Sequence, residues 1–481
     1  MATAAAEFFQ RDTHHGLVKR IMYKKYLQAY VAKTQQMAYR HPAFRFAKTI
    51  IIDGFAGAGR YRDKDDEDDK DDDDEEEEEE EDPKSTWQEE IEKYGSPMIA
   101  LLVVLQFFCN KLYGKQKWDP LHKDVVSEVN QNEANQNEPP RRQSGTEDSE
   151  KKIYLYFVEK SSENFEQLVI CVETYLYTFL KELEMESCLV VQEVRDQVDF
   201  YVTHGDFLLE CHIRNCEFTD FAPPPMPEFS RRLTFLDPCG FSQTPMEQVH
   251  QYLGPYSEVL INFMSGYVNR FCGKSVEKIA ALYGIDLPAR QEMPNLGGFL
   301  SNIVRMGENI PAENAKNCSR SYIEHIKEYT HAEYASLFEI RGEGNAVIYH
   351  LIHFTHHRKG LEAMKESMNT CSQYEGTFKM SDYRIVREGI ALTIGNQQDD
   401  ADVAEEVYQE FRGKQGVPIG DVETFVWEHS PYVYRKGILK ILETSDPPRL
   451  ISVENEDTEE ARDRRRNSYP DWGKWLLTFA D

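Results

Sequence analysis

Apolar residues near the start of the chain recur at helical spacing and predict a long amphipathic helix in residues 16–39. Leu17, Ile21, Leu27 and Tyr30 can share one face of that helix. The stretch FAKTIIIDGF then predicts a short buried strand that ends at a glycine turn. We therefore expect residues 1–45 to form a helical segment ahead of an α/β domain.

Strand-like and helix-like segments alternate through residues 46–375. The runs KKIYLYFVEK, RRLTFLDPCGF and SEVLINFM each predict a strand that is followed by a turn and a helix. The run SLFEIRGEGNAVIYHLIHF instead predicts two strands joined by a hairpin at GEGN. This alternation favours an α/β fold in which a mostly parallel sheet carries helices on both faces and is closed by an antiparallel hairpin.

The pattern changes again over residues 400–481. PIGDVETFVWEHSPYVYRKGILKILE predicts two helices, and two strand-like runs follow them toward the end of the chain. Two helices followed by a β-wing are typical of a winged helix-turn-helix. Its second helix carries Arg435, Lys436 and Lys440, which are candidate contacts to the phosphates of RNA or DNA. A solvated charged helix face is the alternative interpretation of these three residues.

Charge is distributed unevenly along the 481 residues, which carry a net charge of -29. Residues 63–82 contain 18 acidic residues and two lysines, a net charge of -16, so the rest of the chain carries -13. The balance outside this tract does not indicate a polyanionic partner, although local patches decide contacts. Low apolar content predicts two disordered inserts, at residues 62–90 and 115–150.

The nine cysteines are dispersed, and none forms a CxxC pair. This pattern favours a reducing intracellular compartment, cytoplasmic or nuclear, and no metal site. No stretch approaches the roughly 20 apolar residues of a membrane helix, so we expect no membrane segment.

The glycine turn after the first strand admits three interpretations. A phosphate loop would require Lys and Ser/Thr where Arg60 and Tyr61 stand. A dinucleotide fingerprint would require a third glycine where Arg62 stands. S-adenosylmethionine (SAM) carries a sulfonium cation and no phosphate, so it needs no lysine clamp. We therefore favour SAM as the cofactor.

Several polar residues follow the predicted strand ends, where open α/β sheets bind ligands. In a SAM site, Asp53 would face the cationic groups, Glu159 would accept hydrogen bonds from the ribose hydroxyls, and Asp206 would meet the adenine edge. The methyl acceptor would lie at the next strand end, beside Asp237, Pro238 and Cys239. The candidate cofactor-binding residues are Asp53, Gly54, Phe55, Ala56, Gly57, Gly59, Glu159, Gly205 and Asp206.

The motifs IIDGFAGAGRY, GSPMIALL, YFVEK, FLDPCGF, VLINFM and HFTHHRKGLEAMKESM, in this order, resemble those of the three-Cys-motif partner (TcmP) family. The resemblance covers roughly residues 16–370 without the two inserts. It implies a Rossmann-like class I SAM-dependent methyltransferase fold, and the winged helix is associated with such proteins. The substrate of the family is poorly defined, so the resemblance does not identify the methyl acceptor.

Cys239 departs from the patterns of several methyltransferases. The amino-methyltransferases of nucleic acids carry a proline and an aromatic residue where Cys239 and Gly240 stand, so their chemistry is not expected here. A Pro-Cys pair also occurs in cytosine-5 methyltransferases, where the thiolate attacks the base. The partner Glu-Asn-Val motif is missing from INFMSG, so we interpret Cys239 as a small turn residue.

Two hypotheses about function remain. The first is a SAM-dependent methyltransferase, with RNA or DNA as the candidate acceptor. The alternative is a catalytically inactive adaptor of the same fold that binds nucleic acid or protein. The histidines His353, His356 and His357 are expected at the edge of the last strand, near the substrate cleft.

Overall fold

A computed structural model describes residues 14–40, 47–60, 93–113, 151–205, 207–287, 295–306, 313–373, 378–389, 392, 395, 398–455, 469 and 475–481. The predicted disordered inserts and Asp206 lie outside these residues. The chain divides into two compact units. The first unit comprises Met1–Ala335 and Ile348–His356, and the second comprises Ser336–Val347 and His357–Asp481.

Eight helices of the first unit are α1 (His14–Arg40), α2 (Ser96–Tyr113), α3 (Ser162–Glu182), α4 (Met246–His250), α5 (Ser265–Phe271), α6 (Val276–Tyr283), α7 (Leu296–Val304) and α8 (Asn314–Tyr329). The strands in chain order are β1 (Lys48–Asp53), β2 (Lys151–Glu159), β3 (Leu189–Val194), β4 (Gln197–His204), β5 (Phe207–Asn215), β6 (Arg231–Leu236), β7 (Ser257–Phe263), β8 (Tyr334–Arg341), β9 (Val347–Thr355) and β10 (Lys379–Ser381).

These ten strands belong to one mixed, mostly parallel sheet, so the expected α/β class is confirmed. Within the first unit the strand order is β9-β7-β6-β1-β2-β5-β4-β3. The five central strands, β7, β6, β1, β2 and β5, run parallel to one another. β9 is antiparallel to β7. At the other side, β4 runs antiparallel to β5, and β3 runs antiparallel to β4.

The chain crosses the sheet in two directions from β1. It proceeds first to β2 and β5 on one side, and later returns to β6 and β7 on the other side. The change of direction creates a topological switch point between β1 and β6. In open α/β sheets, ligands bind in the crevice outside the carboxyl ends of the strands at such a point.

Burial on both faces explains the composition of the central strands. Ile50, Ile51 and Ile52 in β1 are buried, and so is every residue of β7. Helix α2 has the near-continuous apolar sequence of a helix buried on most sides, and it packs against α1 and β1. The glycine turn is thereby anchored on a rigid strand.

The second unit contains most of β8, all of β10, and the helices α9 (Arg358–Asn369), α10 (Asp382–Val386), α11 (Asp400–Phe411), α12 (Ile419–Thr424) and α13 (Lys436–Thr444). Its three further strands are β11 (Val417–Pro418), β12 (Leu450–Asn455) and β13 (Trp475–Phe479), which form an antiparallel sheet in the order β11-β13-β12. Val407, Ile438, Leu442 and Phe479 belong to the core that joins this sheet to α11 and α13.

A buried lysine anchors the helical turn that follows α12. The Lys365 ammonium in α9 donates hydrogen bonds to the carbonyl oxygens of Val426 (2.9 Å), Trp427 (2.8 Å) and Ser430 (2.7 Å). These three acceptors match the three N–H groups of an ammonium. Desolvation lowers the pKa of Lys365 to about 7, while the charges of Glu406 and Glu428 act in the opposite direction.

Candidate functional site

The turn after β1 requires glycine for two different reasons. Gly57 and Gly59 have φ angles of +65° and +80°, in the left-handed region that disfavours other residues. At Gly54 the reason is space, because a Cβ atom there would lie 2.8 Å from side-chain atoms of Leu236 and Phe218. Around Gly57 a Cβ would meet no atom within 4 Å, so the backbone there is open to a ligand.

Hydrogen bonds tie the turn to the end of β2. Ala56 N–H donates to the carbonyl oxygen of Val158 (2.9 Å), and Gly57 N–H donates to Glu159 Oε2 (2.8 Å). Glu159 Oε1 accepts a further bond from Ser161 N–H (2.7 Å). Each carboxylate oxygen can accept more than one hydrogen bond. The half-buried Glu159 thus holds the turn and retains capacity for a ligand.

Asp53, at the end of β1, has no exposed surface. Its Oδ1 accepts a hydrogen bond from Phe55 N–H (3.1 Å), and its Oδ2 accepts none within the described part of the chain. Desolvation raises the pKa of Asp53 to about 7, and the charges of Asp237 and Glu159 add to this increase. Asp53 therefore positions the turn from beneath through its hydrogen bond to Phe55.

Asp237 follows β6 and is held from two sides. Its Oδ1 accepts a hydrogen bond from Asn262 Nδ2 in β7 (2.7 Å), and its Oδ2 forms an ion pair with the Lys19 ammonium of α1. Both oxygens are thus engaged by the chain. This fixes the orientation of the carboxylate at the carboxyl end of β6.

The two residues that follow Asp237 differ in their exposure to solvent. Pro238 is buried, whereas Cys239 is exposed. Partial desolvation raises the pKa of the Cys239 thiol, and the charges of Asp237 and Glu159 raise it further. A raised pKa reduces the fraction of thiolate, the form in which cysteine acts as a nucleophile.

Three carboxyl groups from adjacent strands therefore surround the switch point. Asp53 and Glu159 are the last residues of β1 and β2, and Asp237 follows β6; the charges of Asp237 and Glu159 help to raise the pKa of Asp53. One lysine, Lys19, offsets part of their charge. An edge of this character attracts a cationic ligand and repels a phosphate.

The expectation that Gly205 shares this edge is wrong. Gly205 lies in the turn between β4 and β5, and the start of β5, Phe207, pairs with Lys151 at the start of β2. Gly205 is therefore at the amino end of β2, whereas Glu159 is at its carboxyl end. The cause is the antiparallel direction of β4, and Asp206 lies outside the described residues. At the carboxyl end of β5 stands Asn215, whose Nδ2 donates to the Glu159 carbonyl oxygen (2.8 Å).

The predicted position of the histidines near the cleft is also wrong for His353. This residue pairs with Leu260 across β9 and β7, has no exposed surface, and its Nε2 lies 2.9 Å from Glu258 Oε2. Tyr26 of α1 donates a hydrogen bond to the same carboxylate oxygen. Glu258 lies at the amino end of β7, at the edge of the sheet opposite the glycine turn.

The basic residues of α13 differ in their surroundings. Arg435 precedes the helix, and its guanidinium lies 3.7 Å from a carboxylate oxygen of Glu366 and 3.5 Å from one of Asp400. Lys436 and Lys440 are exposed one turn apart. The acidic neighbours of Arg435 compete with phosphate for its guanidinium.

Two residues of the site, Lys19 and Asn262, were not predicted from the sequence. Lys19 is separated from Asp237 by 218 positions, and no local pattern connects them. Asn262 belongs to the run VLINFM, and a polar residue near the end of an apolar strand is a signal that could have identified it.

Comparisons with known proteins returned no match for the chain, whether among family models, curated proteins or solved structures. The helices in the described ranges include none that is long and apolar enough to cross a membrane. The described ranges also contain no cluster of three or more His, Cys, Asp or Glu side chains suited to a metal ion.

Proposed function

We propose that the chain is a class I SAM-dependent methyltransferase of the TcmP type, with RNA or DNA as its methyl acceptor. One observation carries the proposal: an anionic edge with an open glycine turn lies at the topological switch point of a mostly parallel sheet. SAM has a net positive charge, whereas NAD and ATP bring phosphates that this edge would repel. The edge therefore favours SAM over the nucleotide cofactors.

The residues at the edge fit the parts of SAM. Glu159 has acceptor capacity left for two ribose hydroxyls, since only one backbone N–H occupies each of its oxygens. The open backbone at Gly57 can lie against the amino-acid part of the cofactor. Asp53 acts as a positioning residue below the turn. The cofactor would supply an electrophilic methyl group, which it transfers from sulfur to a nucleophile of the acceptor.

Asp237 marks the side of the site at which the acceptor would enter. Its carboxylate is fixed by Lys19 and Asn262 and is followed by the exposed Cys239. An oriented carboxylate can accept a hydrogen bond from an N–H or O–H of the acceptor during transfer. The raised pKa of Cys239 argues against a covalent intermediate on this thiol.

The nucleic-acid part of the proposal rests on the second unit, which we interpret as a winged helix. Support comes from the order α11, β11, α12, α13, β12, β13 and from the antiparallel sheet β11-β13-β12. Lys436 and Lys440 on the exposed face of α13 would contact phosphates.

Calorimetry with SAM tests the cofactor assignment. We expect SAM to bind the full chain, and Glu159→Gln to weaken binding at least about tenfold, because hydrogen bonds to a charged group contribute about 1.5–3 kcal/mol each. NAD and ATP should not compete. A folded protein without SAM affinity, or one that prefers NAD or ATP, would overturn the proposal.

Two glycines provide a matched pair for the same experiment. Gly57 and Gly205 both have left-handed φ angles, +65° and +57°, and open space where a Cβ would lie. Gly57→Ala and Gly205→Ala should therefore lower stability similarly, by about 1 kcal/mol. Only Gly57→Ala should weaken SAM binding, because Gly205 lies at the opposite edge. Equal SAM affinity in the two variants would contradict a ligand at the turn.

Labelled SAM, incubated with total RNA, DNA and protein side by side, identifies the acceptor class. We expect transfer to nucleic acid, and Lys436→Ala with Lys440→Ala to weaken RNA or DNA binding and reduce its salt dependence. Lys414→Ala is the control, since Lys414 is a basic residue of the same unit whose ammonium pairs with Glu410 (2.9 Å). Transfer to protein alone would refute the nucleic-acid assignment and leave the SAM site intact.

A further inference from the structure

The segments that follow β6 and β7 form a further flank of the carboxyl edge. β6 and β7 run parallel, so the turn after Asp237 and the start of α5 lie at the same edge of the sheet. Aromatic packing joins the two segments, since the ring centroids of Phe241 in the turn and Phe271 in α5 are 6.3 Å apart. In the strand order, β7 and β1 lie on opposite sides of β6, so this flank lies beside Asp237 and away from the glycine turn.

A cavity of about 330 Å³ opens to solvent between the turn after Asp237 and helix α6. Its lining is mostly apolar and is contributed by Phe241, Pro245, Ala281 and Leu282, with Glu277 and Lys278 as the charged members. Sites for small ligands start at about 300 Å³. The cavity therefore has the size and the apolar walls that suit one planar ring, with a lysine beside it.

Aromatic side chains continue from the cavity along α5. Tyr267 is 41% exposed, and its ring centroid lies 5.5 Å from the guanidinium carbon of Arg270. Tyr267 and Phe271 are four residues apart, so they are neighbours on one side of α5. Since Phe271 in turn contacts Phe241, a row of three aromatic rings leads from the surface of α5 to the cavity.

The charge of this flank is opposite to that of the cofactor edge. Residues 265–284 contain three cations, Arg270, Lys274 and Lys278, and one acid, Glu277, a net charge of +2 in a chain of net charge -29. All three cations are exposed, and none of them forms an ion pair within the described part of the chain. This flank therefore attracts phosphate, whereas the adjacent edge repels it.

We propose that this flank binds a single-stranded polynucleotide and presents the acceptor base to the site beside Asp237. We call the flank the acceptor surface; its members are Phe241, Tyr267, Arg270, Lys274 and Lys278. The inference rests on the proposed function, because it assigns the polynucleotide as the substrate of the same site. One base would enter the cavity beside Phe241 and another would stack on Tyr267, while the cations follow the phosphates.

The exposed rings favour a single strand over other anionic ligands. Proteins that bind single strands combine a cationic groove along the backbone with aromatic rings on which the bases stack. The acceptor surface has both components. An acidic peptide would engage the cations and leave the rings without a stacking partner, and the bases of a duplex are enclosed within its stack.

Fluorescence anisotropy of the full chain with a labelled 15-nucleotide oligouridine or oligothymidine, in the absence of SAM, tests the stacking contact. We expect Tyr267→Ala to raise the dissociation constant at least about fivefold, because one base is lost from its aromatic platform. Tyr177→Ala is the matched control, since Tyr177 is a 51% exposed tyrosine of α3. Equal affinities of these two variants would contradict stacking on Tyr267.

The salt dependence of the same binding tests the cations. Arg270→Ala with Lys278→Ala should reduce the slope of log K against log salt by about 0.7 for each phosphate contact that is lost. Lys181→Ala, at an exposed lysine of α3, should leave the slope unchanged. Polyglutamate that displaced the oligonucleotide at equal charge concentration would show that an acidic peptide is the ligand, and would overturn the proposal.

Photo-cross-linking maps the contact whatever affinity the second unit contributes. An oligonucleotide that carries 5-iodouracil, which reacts with aromatic side chains stacked on it, should label peptides that contain Phe241 or Tyr267. Labelling confined to residues 417–455 would overturn the proposal. These measurements contain no SAM, so absence of SAM binding would refute the cofactor assignment alone, and methyl transfer without binding at this flank would refute the acceptor surface alone.

Discussion

Two buried carboxyl groups at opposite edges of the parallel sheet have pKa values shifted in opposite directions. Asp53 ends β1 at the carboxyl edge, beside the glycine turn, and its pKa is raised to about 7. Glu258 begins β7 at the amino edge, and its pKa is lowered. Desolvation is the largest influence on both groups and raises the pKa in each case, so burial alone does not explain the difference.

The groups around each carboxyl group determine the direction in which its pKa shifts. Glu258 receives hydrogen bonds from His353 and Tyr26, and the charges of His353 and His356 add to their effect, so the ionised form is favoured despite its burial. Asp53 has the N–H of Phe55 and the hydroxyl of Ser96 as favourable neighbours. The charges of Asp237 and Glu159 oppose them, and one oxygen of Asp53 accepts no hydrogen bond in the described chain.

This difference indicates that the amino edge of the sheet stabilises its buried carboxylate, whereas the carboxyl edge does not. At the amino edge, α1 and β9 enclose Glu258 with groups that satisfy it. At the carboxyl edge, like charges crowd together at the switch point, an arrangement that is unfavourable without a ligand. Local violations of folding rules of this kind are expected at functional sites.

The largest effect is expected for Glu258→Ala. Removal of this carboxylate leaves Tyr26 and His353 buried without their shared partner, and the loss of one member of a buried pair costs about 4 kcal/mol. Urea unfolding of the variant should report a decrease of this size in the free energy of unfolding. Glu247→Ala, at an exposed position in α4, should change it by less than about 0.5 kcal/mol. If Glu258→Ala also changed the free energy of unfolding by so little, the hydrogen bonds of Glu258 with Tyr26 and His353 would not stabilise the fold.

The elements around Asp53 were predictable because their signals are local. The apolar run before Asp53, the glycines after it and the acidic end of the YFVEK strand identified the turn and Glu159 from short segments. Helix α1 spans His14–Arg40, close to the predicted residues 16–39.

The properties that escaped prediction depend on distant residues. The run that contains Gly205 has a strand pattern, but a pattern does not encode whether a strand runs parallel or antiparallel to its neighbour. Likewise, the sequence around Lys19 does not indicate that α1 places this lysine beside Asp237. The sequence also does not show that Arg435 lies close to the acidic side chains of Glu366 and Asp400. The opposite pKa shifts of Asp53 and Glu258 belong to this second class.

An intermediate effect is expected for Asp53→Asn. The pKa of Asp53 rises from 3.8 to about 7 on folding, so the folded state binds more protons than the unfolded state in this range. Stability contributed by the protonated carboxyl is therefore lost as the pH rises from about 4 to about 7. Asn cannot ionise, so the variant should lack this loss and be more stable than the unsubstituted chain at pH 8.

Thermal unfolding across pH 4 to pH 8 measures this difference. The two proteins should have similar stability near pH 4, where Asp53 is protonated when folded, and diverge above it. Parallel curves over the whole range would show that Asp53 ionises without penalty, and the contrast with Glu258 would then disappear.

The smallest effect is expected for Tyr26→Phe, which sharpens the contrast at the amino edge. The hydroxyl of Tyr26 donates to Glu258, and a hydrogen bond to a charged group contributes about 1.5 kcal/mol. Without it the pKa of Glu258 should rise, so stability should be lost at higher pH during acidification than in the unsubstituted chain. Tyr30→Phe in the same helix is a matched control, because the buried Tyr30 hydroxyl has no hydrogen-bond partner in the described chain. If both variants behaved alike in acid unfolding, desolvation of the hydroxyl rather than its bond to Glu258 would govern Tyr26.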